Sequence, residues 1–71
     1  MTMIDQRNLQ KLVKEVRDQL GLSQEELAHA LGVSFASINR WENGKTSPSK
    51  LARVQFDAFC RKMKTQGKLK V

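Results

Sequence analysis

At 71 residues and 8.1 kDa the chain can form one small domain with a modest core, which leaves no room for a deep substrate cavity. Hydrophobic residues make up 39% and charged residues 28%, too apolar for wholesale disorder, while one cysteine and one histidine exclude a disulfide framework and a self-contained zinc site. Thirteen Lys and Arg against seven Asp and Glu give a net charge of +6, which points to an acidic polymer as partner.

The first helix is expected to start at Asp5 or Asn8, either of which can cap it. Its apolar residues Leu9, Leu12, Val13, Val16 and Leu20 fall on one helical face, and Gly21 stops it. Ser23, Gln24, Glu25 and Glu26 then read as a capping box opening a second helix, with Leu27, Ala28 and Leu31 turned inward. Gly32, Val33 and Ser34 form a three-residue turn, with Ser34 the N-cap of a third helix that buries Ile38 and Trp41. Ser47 followed by Pro48 reads as a fourth start signal, a cap with proline at the first helical position. From Pro48 to Lys64 there is neither glycine nor a further proline, so one long helix is the simpler expectation. No run alternates as a strand would, so the fold class is all-α, four helices with the fourth long.

Two short helices joined by such a turn have helix-turn-helix geometry, in which Ala28 must be small because the helices cross there. The strings Gly-Leu-Ser-Gln-Glu-Glu-Leu-Ala (21–28), Leu-Gly-Val-Ser (31–34), Ile-Asn-Arg-Trp-Glu-Asn-Gly-Lys (38–45) and Ser-Pro-Ser (47–49) together resemble the Cro and phage-repressor-like helix-turn-helix family. The resemblance spans roughly 9–51 and places the motif over 24–43; the helical pattern gives a domain over 5–64, and residues 65–71 read as a basic flexible tail. It implies a recognition helix over 34–43 inserted in the major groove of double-stranded DNA. Carried over residue by residue, Gln24 contacts the DNA backbone and buttresses the base readers, while Phe35, Ala36, Ser37, Asn39 and Arg40 occupy the recognition helix behind Ser34. Asn43 and Lys45 correspond to the phosphate-gripping loop, with Lys50 and Arg53 able to join them. Arg17 and Glu42 correspond to a partly buried ion pair tying the first helix to the end of the third.

Side-chain chemistry supports part of this assignment. Arg40 can read guanine and Asn39 adenine through paired hydrogen bonds, whereas Phe35 and Ala36 can meet only thymine methyls. Charge is divided unevenly as well. Residues 1–44 carry five bases and six acids, and residues 45–71 carry eight bases and only Asp57. His29 is expected to be exposed and idle, and Cys60 to be a small hydrophobe, a reduced thiol of a cytoplasmic protein.

On the fourth helix Ala52, Phe56, Phe59, Cys60 and Met63 form one apolar stripe, and Leu51, Val54 and Ala58 a second. A domain this small cannot cover both along their whole length. Phe56, Phe59 and Met63 are therefore a candidate homodimer surface, set against a reading in which they floor the core. The expected function is a sequence-specific DNA-binding transcriptional regulator, with no catalytic activity, no metal, no cofactor and no membrane span. The alternatives are an antitoxin or accessory module that binds a partner protein, and the DNA-binding domain of a larger protein such as a modification enzyme.

Overall fold

The computed structural model describes residues 6–70, with side chains from Asn8 onward, so a cap at Asp5 lies outside the described residues. Asn8 falls inside the first helix, α1, which runs Gln6–Leu20. It is followed by α2 (Gln24–Leu31), α3 (Phe35–Glu42) and α4 (Lys50–Thr65), with no strand among the described residues. Leu9, Val13 and Val16 are the buried part of the α1 stripe, and Leu12 and Leu20 lie at its half-buried margins. Together with Leu27, Ala28, Leu31, Ile38, Trp41, Ala52, Phe56 and Leu69 they make one continuous core.

All four helices close in the same way. Each ends at a glycine with positive φ (Gly21, Gly32, Gly44 or Gly67), and two backbone bonds return across the last turn. At the end of α3, Gly44 N–H donates to the Trp41 carbonyl (3.2 Å) and Lys45 N–H to the Arg40 carbonyl (2.9 Å). That pair of bonds requires the left-handed conformation at Gly44 (φ +72°), where a side chain would be strained. The Gln10 side chain covers the same glycine, 2.5 Å from where a Cβ would stand.

α2 opens with the expected capping box: Ser23 Oγ accepts from Glu26 N–H (3.0 Å), and a Glu26 carboxylate oxygen accepts from Ser23 N–H (2.8 Å). The Ser23 N–H first, and its side chain second, pull the Glu26 carboxyl below its ordinary range. α3 packs against both α1 and α2, and α4 packs against α2. Ala28 is 3% exposed, and its small side chain permits the close pairing of α2 with α3.

Three expectations are corrected. The cap of α4 is Ser49, whose Oγ accepts from Ala52 N–H (3.2 Å), so Ser47 and Pro48 lie in the linker before the helix. Ser-Pro-Ser offers two caps, and the helix uses the second. Second, Phe56 is wholly buried, while Phe59 and Met63 are half-buried against the core; the stripe is the floor of the monomer. Large apolar exposure on α4 falls on the other stripe, at Leu51 (70%) and Val54 (60%). The rings of Phe56 and Phe59 remove more apolar area from water than Leu51 and Val54 would, which decides the rotation of the helix. Third, residues 65–70 are no free tail. Leu69 is 4% exposed within the core, and Lys70 N–H donates to Gln19 Oε1 on α1 (2.9 Å).

Candidate nucleic-acid interface

The exposed side of α3 is built from its N-terminus. Ser34 is the N-cap, its Oγ accepting from Ser37 N–H (3.1 Å) and lying 3.0 Å from the Ser37 hydroxyl. Phe35, next in line, is 51% exposed, a large apolar side chain left in water, with Ala36 exposed beside it. Ile38 and Trp41 turn inward, so the 3.6-residue period brings Asn39 and Arg40 to the outer side, Asn39 half-buried and Arg40 exposed. Beyond the helix end, Asn43 and Lys45 are exposed, and Lys50 is exposed in the first turn of α4.

Behind this surface lies a polar network crossing three helices. Arg17 on α1 grips Glu42 on α3 with two bonds, Nε to Oε2 at 2.7 Å and Nη2 to Oε1 at 3.0 Å. Its Nη1 donates to the Leu22 carbonyl (3.1 Å), which fixes the loop entering α2. The Glu42 side chain is only 7% exposed and that of Arg17 17%, so the pair is sheltered. Burial alone would raise the Glu42 pKa. The hydrogen bonds from Arg17 and Gln24, with the charges of Arg17 and Lys14, outweigh it and hold the carboxyl below its usual range. Bonding to Glu42, opposed by burial, raises the Arg17 guanidinium in turn.

Gln24, the first residue of α2, extends the network outward. Its Nε2 donates to Glu42 Oε1 (3.0 Å), and its Oε1 accepts from Asn39 Nδ2 (3.2 Å). Asn39 Oδ1 accepts from Asn43 Nδ2 one helical turn further on (3.1 Å). Gln10 Nε2 donates to the Glu42 carbonyl (3.3 Å), a contact invisible in the sequence because a glutamine beside an apolar stripe carries no motif. The Asn39–Asn43 contact did leave a trace, the i, i+4 spacing of two amides.

Ser34, Phe35, Ala36, Ser37, Asn39, Arg40, Asn43 and Lys45 thus sit on α3 or at its ends, with Gln24 joined to them by hydrogen bonds and Lys50 in the next helix. Arg53 is engaged elsewhere, its Nε donating to Asp57 Oδ1 (3.0 Å). His29 is exposed. The Cys60 thiol is half-buried, and burial, with Asp57 nearby, raises its pKa, which keeps it protonated and unreactive. Among the described residues no cluster of His, Cys, Asp or Glu could hold a metal, and no helix is long and apolar enough to cross a membrane.

Comparison with known proteins follows the same lines. A family profile described as helix-turn-helix matches residues 13–51, more than half of the chain. The chain is 49% identical over 43 residues to the type II methyltransferase M1.ScrFI of Lactococcus lactis subsp. cremoris, a match covering 56% of this chain and 11% of that protein. It is 42% identical over 45 residues to the type II methyltransferase M.SsoII of Shigella sonnei, covering 59% and 12% respectively. An uncharacterized HTH-type transcriptional regulator of Methanothermobacter thermautotrophicus is 46% identical over 41 residues, 58% of this chain and 59% of that one. The match therefore takes in about a tenth of each methyltransferase and less than two thirds of the regulator. No solved structure matches the chain with significance.

Proposed function

The chain belongs to the helix-turn-helix family, and from that footing we propose that it is a sequence-specific DNA-binding transcriptional regulator that inserts α3 into the major groove of double-stranded DNA. The observation that carries this reading is the exposed row on α3, in which Arg40 is solvent-facing and Asn39 is held in place by Gln24. Ser34 and Ser37 meet backbone or base edges at the start of the helix, and Phe35 and Ala36 meet thymine methyls. Asn43, Lys45 and Lys50 grip phosphates on one flank, with Gln24 on the other. The reading is one of binding, with no catalytic step, metal or cofactor, and a DNA partner fits a cytoplasmic protein.

Selection of bound duplexes from a random pool, repeated with Arg40→Ala at two salt concentrations, tests it. The variant should lose preference at one base pair, at a cost of about 1–3 kcal/mol. An unchanged selected sequence with unchanged affinity would remove Arg40 from the readout.

The methyltransferase matches favour a second reading, in which this segment is the DNA-binding domain of a larger modification enzyme. The reading frame around it in its source genome separates the two. Either way, readers of this type act in pairs on half-sites one helical turn apart. The surface for a second copy moves from Phe56, Phe59 and Met63 to the exposed Leu51 and Val54 side of α4. Binding to a partner protein of antitoxin type would compete for that same side.

A further inference from the structure

We infer that Glu42, sheltered one turn beyond Asn39 on α3, dictates the hydrogen-bonding sense of Asn39 through Gln24, and that the valences this leaves on Asn39 complement adenine. The inference rests on α3 reading DNA as proposed above. An ionised carboxylate accepts hydrogen bonds and donates none, so the group that Gln24 turns toward Glu42 must be its NH2. The other end of that amide, Oε1, is then committed to face Asn39, and only the Asn39 NH2 can bond to it. This in turn fixes Asn39 Oδ1 on the opposite side, where it accepts from Asn43 Nδ2. Flipping any one amide would set NH2 against NH2 or oxygen against oxygen. Because the Glu42 side chain is 7% exposed, water has little room to relieve such a mismatch at the inner end.

An asparagine amide has two N–H groups and two oxygen lone pairs. One N–H of Asn39 goes to Gln24 and one lone pair to Asn43, leaving one donor and one acceptor for a ligand. Adenine presents an acceptor (N7) and a donor (N6–H) in the major groove, which this set satisfies. Guanine presents two acceptors, N7 and O6, and would leave one facing a lone pair. An unrestrained asparagine could rotate its amide to suit a different neighbour. Here the sheltered ion pair removes that freedom through Gln24, which makes Glu42 a positioning residue for base choice.

Glu42→Gln keeps the shape of the side chain but can donate as well as accept, so both senses of the relay become possible. Nitrogen-15 correlation spectra of the free protein read the first half of the inference. The side-chain amide signals of Gln24, Asn39 and Asn43 should be displaced and slow to exchange in the wild type, and should move toward free-amide positions in Glu42→Gln. Unmoved signals would overturn the relay. Duplexes varied at the base pair whose preference vanishes in Asn39→Ala read the second half. The adenine-over-guanine affinity ratio should fall about tenfold in Glu42→Gln. Should Glu42→Gln fail to fold, Gln24→Met cuts the relay one link later while keeping the Arg17 pair, and should show the same loss of ratio. A wild type that selects a sequence while both variants keep its ratio defeats the inference alone. A wild type that selects no sequence defeats the DNA-reading proposal, whatever the spectra show.

Discussion

At the level of single residues, Glu42 joins stability to acidity. Its native pKa is depressed, so its contribution is full above the usual carboxylate range and drains away as pH falls through that range toward the native value. Acid titration of thermal unfolding should therefore show a steeper acid limb for the wild type than for Glu42→Gln, and equal slopes would deny the pair its weight. Removing the other partner is costlier than titration suggests. Arg17→Met takes away two bonds to Glu42 and one to the Leu22 carbonyl, and should destabilise the fold by about 3 kcal/mol, the lower end for breaking a sheltered pair. A double-mutant cycle with Glu42 checks whether that loss is shared. Lys45 stands apart from this network: its N–H closes α3 while its side chain reaches solvent. Lys45→Ala should weaken binding to every duplex alike and flatten the salt slope by about one unit, because phosphate contacts carry no sequence. An effect confined to one sequence would contradict a phosphate role.

The helices themselves were largely written in punctuation. Gly21, Gly32, Gly44 and Gly67 each end a helix, and Ser23 and Ser34 each begin one, because the left-handed turn and the side-chain cap are local acts that neighbouring residues decide. Where two neighbours offered the same chemistry, local reading had no basis for choice. Ser47 and Ser49 are both competent caps, and the helix starts from the second. Ser49→Ala should cost about 1 kcal/mol of stability and Ser47→Ala close to nothing, measured by denaturant unfolding. The reverse order would return the cap to Ser47. The rotation of α4 was hidden for a different reason. A helix with two apolar stripes states that one will be covered, and the larger rings of the Phe56 stripe, packed against the core of the other helices, decide which. The site was legible to a similar depth: motif register pointed to Arg17 with Glu42, while the amide chain from Gln24 to Asn43 arises where α2 meets α3.

For the molecule as a whole, the leftover stripe and the returning segment matter most. Leu51 and Val54 lie exposed three residues apart, so Leu51→Glu should leave thermal unfolding nearly unchanged while dissociating any dimer seen in sedimentation equilibrium. A wild type that stays monomeric at high micromolar concentration, alone and on a two-half-site duplex, would end the pairing proposal. Leu69 works in the opposite sense, as a buried side chain supplied from beyond the last helix. The bond from Lys70 to Gln19 spans 51 positions, whereas the turns and caps that define α2 and α3 close over three to five. Loop closure over such a distance is rewarded only once both ends are already in place, so this clasp is late to form and early to open. Folding speed should therefore be nearly indifferent to Leu69→Ala, with the destabilisation expressed as faster unfolding. The clasp acts on the lifetime of the native state: a short-lived opening there bares the end of α1 while the recognition helix stays formed, and hydrogen exchange should find those amides the first to lose protection.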